Sequence, residues 1–373
     1  MARAGFEHDA FIEYNRNACD TVRENQQLGV EPMAHWPLFE ADVTRFDYSF
    51  IPEGLDVIAG GPPCQPFSLG GKHRGHQDER NMFPEAVRAV RELKPRAFIF
   101  ENVRGLLRQS FATYFGYIIL QLTYPTIVRK AVEEWRDHQA RLEKHHTRGK
   151  HNDLHYKVIF QLLNAANYGV PQRRERVFMI GFRSDLNAGW SFPDPTHSQE
   201  ALLRSQWVTG EYWDIHKVAS KDRPELPPKL KSRVNMLRSS FLPTLEQPWA
   251  TVLDAIHDLP DPRIGEGGFQ HHRYNPGART YPGHTGSPLH EPAKTLKAGD
   301  HGVPGGENML AYPNGEVRYF TVRESARLQT FPDEYLFHGC WTEGMRQLGN
   351  AVPVRLGEII AKSVQARLKL LTK

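Results

Sequence analysis

Cysteine is scarce in this chain: Cys19, Cys64 and Cys340 are the three among 373 residues, and none stand at metal-ligand spacing. That scarcity argues against a disulfide scaffold or a cysteine-built metal site, and it fits a reducing, cytoplasmic setting. Long apolar runs are missing too. None approaches the length that crosses a bilayer, and the start "MARAGFEHDA" has no apolar leader, so no membrane association is expected. Charge of one sign is not in large excess. Lys and Arg number 47 against 43 Asp and Glu, for a net +4, with 18 histidines as latent positive charge. Such a balance is compatible with a polyanionic partner without demanding one. The length allows a large core and a second, smaller domain.

What is present in the first half is alternation. "DAFIEYN" reads as a strand end and "RNACDTVRENQ" as a short helix. "LDVIAG" reads as a buried strand, "FPEAVRAVRELKP" as an amphipathic helix stopped by Pro95, and "RAFIFENV" and "RVFMIGFR" as further strands. This pattern predicts an α/β fold, a doubly wound parallel sheet with helices on both faces. Ligands bind such sheets beyond the carboxyl ends of the strands, where Glu13, Cys64 and Glu101 fall. Cys64 stands in "GGPPCQPFS", just past one of these strands. Pro63 and Pro66 forbid regular structure around it. A thiol held on a stiff loop is a candidate nucleophile.

Between "RAFIFENV" and "RVFMIGFR" lies an insertion at about 108–157. Within "TIVRKAVEEWRDHQARLEKHH", the spacing of Val128, Val132, Trp135 and Leu142 predicts one helix face. His151 and His155 have the separation of two metal ligands, but with no third ligand a solvated loop is the better reading, and no metal is expected. From about Arg183 periodicity fades and Pro, Gly, His and aromatics become frequent, which predicts a second domain of loops and short strands. Helical order returns at "TVRESARLQTFP" and "PVRLGEIIAKSVQARLKLL".

Taken together, "GGPPCQPFS", "FENVRG", "PQRRERVFMIG", "RYFTVRESARLQTFPD" and "RQLGNAVPV" resemble, in order, the motifs of the DNA cytosine-5 methyltransferase family. The resemblance implies an S-adenosylmethionine-dependent, Rossmann-like catalytic domain acting on a cytosine flipped out of double-stranded DNA. It gives Cys64 the role of nucleophile at cytosine C6 and Glu101 a place at N3 and the exocyclic amine. Arg176, with Arg174 nearby, takes the place of the family's arginine at O2. For the cofactor it implies Glu13 at the ribose, Tyr14 at the adenine, Asp42 beside it, and Pro62 and Asn350 completing the pocket. The segment after Cys64 resembles a loop that closes over DNA, so Gln65, Ser68, Lys72 and Arg74 are expected DNA contacts.

The division this implies is 1–182 catalytic and cofactor-binding, 183–310 target recognition, and 311–373 returning to the catalytic domain. The resemblance begins at about Gly5, past the family's opening strand and glycine loop, and nothing after "GNAVP" resembles that piece. An N-terminally shortened member is the reading this favours, most simply a monomer with a possible partner restriction endonuclease. Two alternatives stand beside it. One is a catalytically silent DNA-binding remnant. The other is the tRNA-modifying branch of the family, whose Cys-Phe-Thr element is absent here.

Overall fold

The structure is a computed structural model that describes residues 1–52, 54–63, 81–149, 152–240, 245–298 and 308–371. Cys64, Gln65, Ser68, Lys72, Arg74 and His151 lie outside the described residues.

The first half of the chain contains β1 (Phe11–Glu13), α1 (Arg16–Gln27), β2 (Leu38–Glu40), β3 (Val57–Gly60), α2 (Phe83–Leu93) and β4 (Ala97–Val103). It continues with α3 (Ala112–Thr123), α4 (Trp135–Thr147), β5 (Tyr156–Asn164) and β6 (Glu175–Arg183). Alternation along the strands sorts side chains to two faces. Phe98 and Phe100 of β4, with Val177 and Met179 of β6, pack under α2 and α3. Ala97, Ile99, Phe178, Ile180 and Phe182 face the other layer, which is closed by Leu356, Ile360, Val364 and Leu368. Those last residues repeat every fourth position on the helix that ends the chain, as an apolar helix stripe must.

The sheet differs from the expected all-parallel arrangement. Its order is β3-β4-β6-β5, with β3 and β4 parallel but β6 antiparallel to both β4 and β5. The link between β5 and β6 is only residues 165–174, and so short a connection can join only antiparallel neighbours. β1 and β2 form a separate parallel pair. Among the described residues, no strand pairs with the edge of β1 away from β2, or with the edge of β3 away from β4. Accordingly β3 is not the buried strand its apolar run predicts: Ala59 and Gly60 are exposed.

A second difference lies in the insertion. The helix starts at Trp135, leaving Val128 and Val132 51% and 98% exposed. Glu133 explains the late start. Its carboxylate accepts from the Lys130 N–H and from Arg141, holding 130–133 as a turn tied to α4.

Residues past 183 hold more helix than their composition predicts. β7 (His197–Ser198), α5 (Gln199–Arg204), α6 (Glu211–Ile215), α7 (Lys231–Ser239), β8 (Gln247–Pro248), α8 (Val252–Ile256) and β9 (Ser287–Pro288) follow one another. Trp213, Tyr212 and Leu202 form one small core there, and Leu203, Val234 and Leu237 another. The chain closes with β10 (Met309–Ala311), β11 (Val317–Tyr319), α9 (Val322–Leu328), α10 (Trp341–Asn350) and α11 (Val354–Leu370). Val252, Leu296, Phe320 and Leu348 share one apolar cluster, which packs this closing segment against α8.

Sheet packing leaves no room at Gly181, where an added Cβ would lie 2.2 Å from the Phe98 ring. Gly181→Ala is expected to lower stability by about 1–3 kcal/mol through overpacking. A urea midpoint equal to that of the wild type would show that the ring has space to move.

Candidate active site

The site is built where β3, β4 and β6 meet. Beyond β3, the Pro62 carbonyl accepts a hydrogen bond from Asn102 Nδ2 (2.9 Å), and the Pro63 carbonyl accepts one from the Met82 N–H (3.1 Å). Both ends of the segment that carries Cys64 are therefore pinned at one place. Gly61 passes so close to Glu101 that a Cβ there would stand 3.3 Å from Oε2. A side chain at 61 would crowd the carboxyl group.

Glu101 and Arg176 sit on the same face of adjacent antiparallel strands. Glu101 pairs in register with Phe178, and Val103 with Arg176, which makes the two charged residues diagonal neighbours. Arg176 Nε lies 2.7 Å from Glu101 Oε1, and each residue is 9% exposed. The N–H is not aimed along this contact, so Oε1 is a buried acceptor without a directed hydrogen bond. Burial raises the Glu101 pKa, and nearby Arg176 and Arg174 only partly oppose it. Burial likewise lowers the Arg176 pKa, against the pull of Glu101. A carboxyl biased toward its protonated form beside a fixed cation can donate to a ring nitrogen while the cation meets a neighbouring carbonyl oxygen.

A second group gathers at the ends of β1 and β2. Glu13 Oε1 accepts from the Asn15 N–H (2.7 Å), and the Glu13 carbonyl accepts from the Ala41 N–H (3.0 Å), which sets Asp42 beside it. Asp42 takes hydrogen bonds from the Thr44 N–H and hydroxyl, and these lower its pKa and keep it ionised. Tyr14 is 77% exposed. Arg346 donates to Asn15 Oδ1 (2.8 Å) from one turn before Asn350, which is exposed at the end of α10. Two carboxylates, an open aromatic face and a side-chain amide suit a ligand with paired hydroxyls and a flat base.

Glu101, Arg176 and Pro62 are thus brought together, and Glu13, Tyr14 and Asp42 gather at the ends of β1 and β2, linked through Asn15 to Arg346 of α10, the helix that ends at Asn350. Arg174, named with Arg176 as a catalytic candidate, is 0% exposed and both its terminal nitrogens donate to backbone carbonyls. Sequence reasoning missed Gly61, Asn102, Asn15 and Arg346. The one available signal was Asn102 standing directly after Glu101. No group of potential metal ligands occurs among the described residues.

The model of the C-5 cytosine-specific DNA methylase family matches residues 1–124 and 132–366. The chain belongs to this family. It is an enzyme of the DNA (cytosine-5)-methyltransferase class, and its curated relatives are type II methyltransferases. M.NgoMIV of Neisseria gonorrhoeae is 29% identical over 99% of this chain and 93% of its own. M.Eco47II of Escherichia coli is 30% identical over 100% of this chain and 77% of its own. Among solved structures, a DNA modification methyltransferase encoded within a prophage (E. coli) is 20% identical. It covers 100% of this chain and 94% of its own at a TM-score of 0.55. A DNMT2 variant of Spodoptera frugiperda is 17% identical, covers 100% and 95%, and has a TM-score of 0.54. Both share the Rossmann-like methyltransferase fold.

The raised Glu101 pKa has a stability consequence. The folded methylase holds this proton more tightly than the unfolded chain, so the favourable contribution is complete below the ordinary value of 4.5 and is lost as pH rises through the raised one. Glu101→Gln, which cannot titrate, should gain in melting temperature relative to the wild type between acid and neutral pH. A difference that stays constant with pH would mean that burial does not hold the proton on Glu101.

Proposed function

We propose that this methylase transfers a methyl group to C5 of a cytosine flipped out of a specific double-stranded DNA sequence, through a covalent bond between Cys64 and C6. The observation that carries the reading is the buried Glu101–Arg176 pair beside the pinned ends of the Cys64 segment. Cytosine C5 is a weak nucleophile. Addition of the Cys64 thiolate to C6 forms the S–C6 bond and moves electron density to C5. The Glu101 carboxyl donates to N3 and Arg176 meets O2, stabilising the charge that addition places on the ring. C5 then takes the methyl group, its proton leaves to a base or solvent, and the S–C6 bond breaks to release the thiolate.

S-adenosylmethionine, when bound, supplies an electrophilic methyl group. Glu13, Tyr14, Asp42, Pro62 and Asn350 would hold it, and the chemistry of that set fits its adenosine half. Gln65, Ser68, Lys72 and Arg74 are the proposed DNA contacts near the flipped base. Target recognition is assigned to residues 183–310, between the catalytic part at 1–182 and its return at 311–373. The type II relatives support a modification role beside a restriction endonuclease for the same site; we take the protein to act as a monomer in the cytoplasm.

Cys64→Ser is expected to abolish methyl transfer from labelled S-adenosylmethionine while leaving DNA binding largely intact. DNA carrying 5-fluorocytosine should trap the wild type, since fluorine cannot leave as a proton does. Trapping by the serine variant would remove Cys64 from the chemistry, and a wild type that binds DNA without methylating it would favour the silent remnant.

Exchange of residues 183–310 with the matching part of a relative should transfer the recognised sequence and leave the chemistry in place. A chimera that still methylates the original site would put recognition elsewhere.

A further inference from the structure

Arg174 is a cation buried among backbone carbonyls, two residues before the arginine that faces Glu101. Its Nη1 donates to the Leu296 carbonyl (2.9 Å), and its Nη2 to those of Gly349 (2.5 Å) and Ala351 (2.9 Å). The last two flank Asn350. A helix leaves its final carbonyls without partners and gathers negative partial charge at that end. At α10 these groups are answered from other elements: Gln329 Nε2 takes the Leu348 carbonyl (2.7 Å), and Arg174 takes Gly349 and Ala351. Glycine is required at 349, where a Cβ would lie 2.2 Å from the Ala298 N. The chain can therefore lie flat against 297–298 while Arg174, the residue just before β6, holds it from the other side.

The segment that bears Arg174 is itself fixed. Arg173 N–H donates to the Ala293 carbonyl (2.8 Å), Ala293 N–H to the Pro171 carbonyl (2.9 Å), and Leu296 N–H to Gln172 Oε1 (3.1 Å). The anchor is rigid at both ends. A guanidinium fits this task because its fork reaches several oxygens at once and keeps its charge when buried.

We infer that Arg174 is a positioning residue: it caps the end of α10 and so sets the direction of Asn350 toward the cofactor, tying the cofactor pocket to the strand that activates the base. This rests on the reading of Asn350 as a cofactor contact. It separates two neighbouring arginines by role, Arg176 acting on the ring and Arg174 on the pocket.

The test compares Arg174→Lys with Arg176→Lys in the full chain, using S-adenosylmethionine calorimetry without DNA, methylation kinetics, and hydrogen exchange over residues 345–354. Arg174→Lys should weaken S-adenosylmethionine binding by roughly tenfold or more, the scale of a lost buried charge-assisted hydrogen bond. It should also raise KM for the cofactor more than it lowers kcat, and speed exchange at 345–354. Arg176→Lys should lower kcat and leave cofactor affinity and exchange unchanged. In an Asn350→Ala background the loss of affinity caused by Arg174→Lys should largely vanish. Unchanged exchange and affinity in Arg174→Lys with a fallen kcat would overturn the inference and return Arg174 to the base. If the wild type binds no S-adenosylmethionine, the proposed function fails. Exchange then decides the role of Arg174 alone, with faster exchange supporting it and unchanged exchange rejecting it. Arg174→Lys keeps the side-chain length and one donor, so it avoids the cavity that an Arg174→Ala variant would leave.

Discussion

The direction of β6 decides what this protein can do. Because it runs against β4, its amino end lies at the carboxyl end of β4, and Arg176 meets Glu101 on one face. A parallel β6 would carry the arginine to the far end of a strand of seven residues, roughly 20 Å away. Burying two charges costs solvation, and the gain from pairing them returns only part of that. What the arrangement secures is a carboxyl whose burial favours its protonated form, beside a cation that needs no reorganisation when charge develops nearby.

The same turn that reverses the chain also distributes it. Residues 171–174 enter β6 and on the way bond to Ala293 and Leu296, while the Thr295 hydroxyl donates back to the Arg173 carbonyl (2.7 Å). The strand that carries Arg176 is thereby tied to residues 293–296.

Much of this was legible in the residues. Apolar runs located β1, β3, β4 and β6, and an acid at the end of an apolar run placed Glu13 and Glu101 near the carboxyl ends of β1 and β4. The direction of β6 was not legible, because its continuous apolar run, buried from Arg176 to Phe182, is the same read either way. Nor was the separation of the two arginines. "RRER" carries the look of an exposed basic patch, and the carbonyls that capture Arg174 belong to backbone, which leaves no side-chain signature. Val128 and Val132 have correct helical spacing, yet the Glu133 carboxylate stabilises a turn there instead. Local pairing overrode periodicity. The thiol's own surroundings lie outside the described residues, so its reading rests on the prolines beside it and on the anchors at Pro62 and Pro63.

The seam between β1 and β3 leaves the first forty or so residues without a strand shared with the main sheet among the described residues. With no strand shared across it among the described residues, β1, β2 and α1 are held largely by side chains. Thr21 reaches Gln347, Asn17 reaches Glu343 and Asn25 reaches the Leu336 carbonyl, and Ile12 packs with Ile58. Units joined this way open at lower free energy than the sheet they lean on. Glu13, Tyr14 and Asp42 ride on the unit and Asn350 on the body. A ligand gripped by both would act as a crosslink, drawing the two together by mass action and tightening the fold as it binds.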